Sequence, residues 1–341
     1  MGNPKVSVLV TFYNQEKYVD KALNSVFSQN TNFDYDVLIG DDGSSDRTLE
    51  IINQWISRYP DKIRLFQMER LEKKYPTGFR ASQNRLYLLK HVTGQYFNFL
   101  DGDDYFTDDD KLQKQIEILD SEDNQDCIAC GSNIDMIFPD GTIKQATSKK
   151  LQKGKISPSD YWERHYFHTD TLLIRSSVIP KLPVKLLENN FNDNMITFSV
   201  IQHGNLYYIP ESTAAYIQTM DGIWTLGDKE TNYFRGLMCF DLTNKINSSM
   251  KKETNKRFLE TWLEIRKIIK ASDGYNNKLI VFDEEIKDKK LRNSYLFLHY
   301  NELPLFQKLM FSFKIFVKTI KSRFYVFRSR LKQRIKSYFS L

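Results

Sequence analysis

The feature that most constrains this chain is an alternation, across roughly its first 120 residues, of short apolar runs with longer amphipathic stretches. Residues 6–10, 36–40, 63–68 and 96–100 are brief, β-rich and apolar almost without a break, which predicts buried strands. Between them, residues 16–29 carry Val19, Ala22, Leu23, Val26 and Phe27 at helical spacing. Residues 48–59 repeat the pattern with Ile51, Ile52, Trp55 and Ile56, and residues 81–91 and 111–119 predict two further helices. Strands alternating with helices argue for an α/β fold whose parallel-rich sheet is covered on both faces. Such sheets bind ligands beyond the carboxyl ends of their strands. Two of the four strands run there into acidic turns, residues 41–46 and 101–104.

Past Gly131 the pattern loosens. Residues 168–175 predict a strand, 193–203 a helix, and 206–209 and 214–218 two short strands. Gly222 and Gly227 mark a soft boundary within 221–228. From Asn232 the chain turns helical and charged, with Phe258, Leu259, Trp262, Leu263 and Ile269 on one stripe. With 41% hydrophobic and 27% charged residues, disorder is excluded. Three cysteines (Cys127, Cys130, Cys239) are too few for a disulfide framework, which favours a reducing compartment. No signal peptide is legible, and no run approaches the ~18 apolar residues of a membrane span.

Asp101-Gly102-Asp103-Asp104 is the sharpest chemical signal. Three carboxylates in four residues repel one another unless a positive charge sits among them. Mg²⁺ and Mn²⁺ take such oxygen ligands together with substrate phosphates. Gly102 would let a ligand approach the backbone closely. A solvated acidic turn is the plainer alternative. Asp41-Asp42-Gly43-Ser44-Ser45-Asp46 is a second acidic turn, in which Ser44, Ser45 or Asp46 is expected to cap the next helix, leaving Asp42 to accept hydrogen bonds from a base or ribose. Fingerprints of dinucleotide and phosphate loops are absent.

Several segments occur together in an informative order: residues 7–14 (Ser-Val-Leu-Val-Thr-Phe-Tyr-Asn), 25–29 (Ser-Val-Phe-Ser-Gln), 41–48 and 94–104. In this the chain resembles a family-2 glycosyltransferase of the nucleotide-sugar-binding type, in particular a subgroup common in bacterial surface-polysaccharide assembly. The resemblance spans roughly residues 5–220. It implies a Rossmann-like nucleotide-diphospho-sugar transferase domain with a mixed, mostly parallel sheet over 1–222. The nucleotide-sugar half would cover about 1–110 and the acceptor half about 111–222. A helical region, 223–302, and a tail, 303–341, would follow.

By that resemblance Thr11 and Tyr13 line the base pocket, Asp42 hydrogen-bonds the nucleoside, and Asp101 and Asp103 form the Asp-x-Asp pair that holds Mn²⁺ or Mg²⁺ against the diphosphate. The family's general base, an Asp or Glu opening a late helix, falls on Asp193, with Glu188 in reserve. First-turn placement on the helix is the structural alternative for Asp193. Arg80 or Arg85 could touch the diphosphate, although a helix-surface arginine is the simpler reading. Cys127 and Cys130 read as ordinary buried thiols. His165 and His168 have the spacing of a metal pair with nothing to complete it, and His168 could border the acceptor pocket.

The last 39 residues, 303–341, contain ten Lys or Arg and no Asp or Glu, leaving residues 1–302 at −4 of the total +6. Apolar residues from Phe306 to Tyr338 recur there every three to four positions with basic margins, the pattern of a helix lying in a membrane interface. Packing on the acidic body and nucleic-acid binding are the alternatives, and the broad apolar stripe argues against the latter. The expected protein is thus a cytoplasmic enzyme, peripheral on the inner face of the cell membrane. It would transfer a sugar from a nucleotide diphosphate donor, expected to be a UDP-sugar, to a lipid-linked or glycan acceptor, without nucleic acid. A nucleotidyltransferase and an inactive membrane scaffold are the competing readings.

Overall fold

The structure is a computed structural model that describes residues 3–70, 78–146, 151–164, 167–218, 239, 242–243 and 245–250. The chain divides into two units, Met1–Ser272 and Asp273–Leu341, and all described residues belong to the first. The expected tail at 303–341, most of the helical region and the boundary at 221–228 lie outside the described residues.

The elements run β1 (Val6–Phe12), α1 (Val19–Phe27), β2 (Tyr35–Asp41), α2 (Thr48–Arg58), β3 (Ile63–Gln67), α3 (Phe79–Leu89), β4 (Tyr96–Asp101), β5 (Tyr105–Phe106) and α4 (Lys111–Asp120). Then follow β6 (Cys127–Ile137), β7 (Ile143–Gln145), β8 (Gly154–Ile156), α5 (Pro158–Arg164), β9 (Leu173–Arg175), α6 (Val184–Leu187), α7 (Asp193–Ile201) and β10 (Asn205–Ile217). The strands form one mixed sheet in the order β3-β2-β1-β4-β9-β6-β10-β5, with β7 beside β6 and β8 beside β10. β3, β2, β1 and β4 are mutually parallel, as are β6 and β10, while β9 runs against both β4 and β6.

The strand pattern explains the two cores. Along β1, Val6, Val8, Val10 and Phe12 face one side while Leu9 faces the other. On the first side pack Val19, Ala22, Leu23 and Val26 of α1, Ile52 and Trp55 of α2, and Leu112, Ile116 and Leu119 of α4. On the second pack Leu86, Leu88 and Leu89 of α3 and almost the whole of α7, whose residues Met195 to Ile201 are all buried. The chain steps outward from β1 through β2 to β3 and then crosses back to β4 on the other side of β1, which makes the carboxyl ends of β1 and β4 the topological switch point.

Two expected elements differ. Residues 206–209 and 214–218 belong to one strand, β10, whose pairing with β6 shifts register at Ile209/Ser212 and Ser212/Ala214. The extra residues of a bulge break the apolar periodicity without breaking the strand. Residues 168–175 are a strand only from Leu173 onward, because Thr169–Thr171 form a 3-10 turn. There the Thr171 hydroxyl donates to the His168 carbonyl at 2.8 Å, a local bond that competes with the sheet ladder.

Candidate active site

Register places the first site residues. Thr11 on β1 pairs with Asp101 at the end of β4, and the Thr11 hydroxyl donates to Asp101 Oδ1 at 3.3 Å. Gly102 follows directly, its N–H donating to the Thr11 carbonyl at 2.9 Å. A Cβ on Gly102 would lie 2.2 Å from the Phe12 ring, so this glycine makes room for a core aromatic.

From the far side of the sheet, α3 delivers Arg85. Its Nη2 lies 2.6 Å from both oxygens of Asp101 and 3.7 Å from Asp193 Oδ1, and its Nη1 donates to the Phe191 carbonyl at 3.3 Å. Arg85 is 8% exposed, so the expectation of a surface arginine is wrong. The helix turns this position inward because Leu86 and Leu89 must face the core.

Asp193 opens α7, but Asn192 caps the helix by accepting from Met195 N at 3.2 Å. Asp193 Oδ1 accepts the Thr169 hydroxyl at 2.9 Å, and Oδ2 lies 3.5 Å from His168 Nε2. The other imidazole nitrogen of His168 lies 3.2 Å from Asp170 Oδ2, and Tyr216 of β10 stacks on the ring with centroids 4.9 Å apart. Asp170 Oδ1 accepts the backbone N–H of Asp101 at 3.2 Å. Asp104 is buried and its Oδ1 accepts from Ile217 N at 2.7 Å. The reserve base Glu188 is exposed, and its backbone carbonyl accepts from Gln83 Nε2 at 2.8 Å. His165 lies outside the described residues.

Five carboxylates (Asp101, Asp103, Asp104, Asp170, Asp193) thus gather around two cations, Arg85 and His168. Burial pushes the Asp103 carboxyl up to about 6, helped by the charge of Asp101. Burial likewise raises Asp101, against the pull of Arg85, and raises Asp104 strongly. Burial disfavours a charged His168, yet Asp170 and Asp193 outweigh it and lift the imidazole to about 10. Ligand atoms of Asp101, His168 and Asp193 lie within 4.8 Å of one another, as do those of Asp104, His168 and Asp170. An excess of half-buried carboxylate oxygens suits a hard divalent ion such as Mg²⁺ or Mn²⁺. Asp103 is half-exposed and its carboxyl feels the charge of Asp101, but it belongs to neither of these two sets.

A second corner forms at the end of β2. Asp41 folds the turn, accepting from Gly43 N at 3.1 Å and Ser44 N at 2.9 Å. Asp46 accepts from Thr48 N at 3.0 Å at the start of α2 and from Glu16 N at 3.1 Å ahead of α1, while the N-cap of α2 is Arg47, without a side-chain cap bond, and not Ser44, Ser45 or Asp46 as expected. Asp42 is left for other work. It is 4% exposed, ion-paired with Arg80 of α3 and 3.9 Å from Arg70, and burial raises its carboxyl despite both arginines. Tyr13 is 42% exposed, with the Arg70 guanidinium 3.6 Å from its ring centroid. Asn84 locks α3 to this corner by donating to the Gly40 carbonyl at 2.8 Å, and a Cβ on Gly40 would fall 1.9 Å from Asn84 Oδ1.

The fold therefore brings together Thr11, Asp101, Asp103 and Asp193 in one cluster and Tyr13 and Asp42 in another, and leaves Glu188 apart. Asp170, Tyr216 and the inward face of Arg85 were missed in the sequence, and Asp104 was legible only as a member of the acidic turn, without a role of its own. A usable signal existed for Asp170, because His-Thr-Asp-Thr is a polar interruption of an otherwise apolar run.

Residues 7–182 match the profile of glycosyl transferase family 2, and the chain belongs to that family. Its mixed, mostly parallel sheet is the fold expected for that family. The uncharacterized protein Rv1520 of Mycobacterium tuberculosis is 28% identical over 228 residues, covering 64% of this chain and 60% of that protein. The chain thus matches about three fifths of that relative's length. Among solved structures, TarS 1–349 of S. aureus in complex with UDP-GlcNAc superposes with a TM-score of 0.58 at 17% identity, covering 88% of this chain and 82% of that one. The mannosyltransferase PcManGT from Pyrobaculum calidifontis, in complex with GDP-Man and Mn²⁺, gives 0.52 at 14% identity, covering 87% and 84%.

Proposed function

We propose that this chain transfers a sugar from a nucleoside diphosphate donor of the UDP type to a hydroxyl of a lipid-linked or polysaccharide acceptor, with inversion, in the presence of Mn²⁺ or Mg²⁺. The observation that carries this reading is the convergence on Arg85 Nη2, which grips Asp101 at 2.6 Å and lies 3.7 Å from Asp193. A cation-binding corner and a general base have to adjoin in this way for one displacement.

Asp101 and Asp103 would hold the divalent ion, which supplies neutralisation of the charge on the departing diphosphate. Thr11 orients Asp101. Asp42 and Tyr13 would receive the nucleoside, the carboxylate by hydrogen bonding and the ring by stacking. Asp193 takes the proton of the acceptor hydroxyl as that oxygen attacks the anomeric carbon from the face opposite the leaving group, and Thr169 and His168 hold the carboxylate in place. The UDP-GlcNAc and the GDP-Man with Mn²⁺ held by TarS and PcManGT support a nucleotide-sugar donor.

Calorimetric titration with UDP tests the reading. Binding that requires Mn²⁺ and disappears in Asp103→Ala is the expected result, and failure of UDP and GDP alike to bind overturns it. Among the described residues no helix is long and apolar enough to cross a membrane. The basic, apolar-striped sequence at 303–341 supports peripheral attachment to the inner face of the membrane. Deleting 303–341 is expected to shift the enzyme from the membrane to the supernatant on fractionation; unchanged recovery with membranes rejects the anchor.

A further inference from the structure

Arg85 and a divalent ion claim the same oxygens. The guanidinium lies 2.6 Å from both Asp101 oxygens, and Oδ1 also accepts the Thr11 hydroxyl at 3.3 Å. Each carboxylate oxygen offers two lone pairs, so Oδ1 is saturated and Oδ2 has a single site left. Charge-assisted bonds of this kind are among the strongest that a carboxylate makes. A cation arriving between Asp101 and Asp103 meets a carboxylate whose charge is already matched, with the matching positive group directly behind it. The attachment is nonetheless one that can be released. Arg85 Nε has no hydrogen-bond partner among the described residues, and Asp193 Oδ1 offers a second carboxylate 3.7 Å from the same Nη2.

We propose that Arg85 is a stand-in cation on Asp101, so that the divalent ion binds tightly only together with a nucleoside diphosphate, whose phosphates draw the guanidinium away from Asp101. This rests on the reading of Asp101 and Asp103 as cation ligands. A guanidinium suits the exchange because its planar fork fits carboxylate and phosphate equally. Arg85 is thereby a positioning residue that makes loading of ion and donor a single event and returns to Asp101 and Asp193 when the diphosphate leaves.

The test is titration of the full chain with Mn²⁺ alone, followed by electron paramagnetic resonance, for the wild type, Arg85→Met and Arg85→Gln. Both variants are expected to bind Mn²⁺ about tenfold tighter than the wild type, the worth of one hydrogen bond to a charged group. UDP should also enhance their Mn²⁺ affinity less than it does in the wild type. Equal or weaker Mn²⁺ binding by folded variants overturns the proposal. Because removing Arg85 takes a cation away from Asp101 and Asp193 and can prevent folding, a second measurement uses wild-type crystals containing Mn²⁺ and UDP. Anomalous scattering on Asp101 with Arg85 Nη2 moved off its oxygens supports the exchange; an ion there with Arg85 still on both oxygens overturns it. In either outcome bound UDP leaves the glycosyl-transfer reading intact, whereas a wild type that takes up neither Mn²⁺ nor any nucleoside diphosphate removes both.

Discussion

The two acidic corners beside β1 are built on one plan and differ in how crowded they are. Each sits at the carboxyl end of a parallel strand, Asp42 just after β2 and Asp101 at the end of β4, and each is gripped by an arginine from α3, Arg80 or Arg85. At the β2 corner one carboxylate faces two arginines and an exposed tyrosine. At the β4 corner five carboxylates face two cations. The first arrangement is close to charge-balanced and suits recognition of a neutral base. The second gathers more carboxylates than cations inside the protein, and burial raises Asp101, Asp103 and Asp104 there, which suits a group that brings positive charge. On the proposed reading, recognition and chemistry are separated by the width of one strand.

Substitutions sharpen that contrast. Asp101→Asn is expected to lower turnover by on the order of 10⁴, several kcal/mol of lost charge stabilisation, in a donor-hydrolysis or transfer assay. A variant retaining most of its turnover would remove the distinction between the corners. Asp193→Asn is expected to reduce kcat by about 10³ with little change in the affinity for donor, while Glu188→Gln leaves kinetics unchanged. The reverse ranking would hand the base role to Glu188. At the other corner, Asp42→Ala should weaken UDP binding by about 10-fold to 100-fold in calorimetry, the value of a hydrogen bond to a charged acceptor, and leave kcat largely untouched. A loss of kcat with unaltered affinity would mean that Asp42 acts in the chemistry.

The smallest effect tests the wall behind the crowded corner. Lys111 is fully buried in α4; its Nζ donates to Gln115 Oε1 at 2.9 Å, and Gln115 Nε2 donates to the Thr171 carbonyl at 2.7 Å beneath the His168–Asp170 turn. Burial pulls the Lys111 ammonium down from 10.5 to about 7. Between those values the unfolded chain holds the proton that the folded chain has lost, so this residue makes stability rise with pH across the window. Lys111→Met should therefore stabilise the fold by on the order of 1 kcal/mol at pH 6.5, with the gain fading by pH 10. Urea melts at the two pH values check this, and a gain independent of pH would show that packing alone is responsible.

How far the sequence could be read follows the same division. The strands β1 to β4 and their helices were legible because each buries a face with its own period, and Asp101, Asp103 and Asp42 could be placed because they end such strands. Asp193 was legible as the opening of a helix. Arg85 and Asp170 were not, since what defines them is contact across the sheet between segments remote in sequence, which no local pattern encodes. The bulged β10 and the Thr169–Thr171 turn failed for a related reason, because each trades periodicity for a local backbone solution that sets side chains around the site. The register shifts of β10 precede Tyr216, whose ring then lies on His168.

The bond from Ile217 N to Asp104 Oδ1 joins the end of β10 to the turn that follows β4. Strand end and acidic turn therefore hold one another in place, and a displacement of Asp104 is transmitted to Ile217 through that one donor.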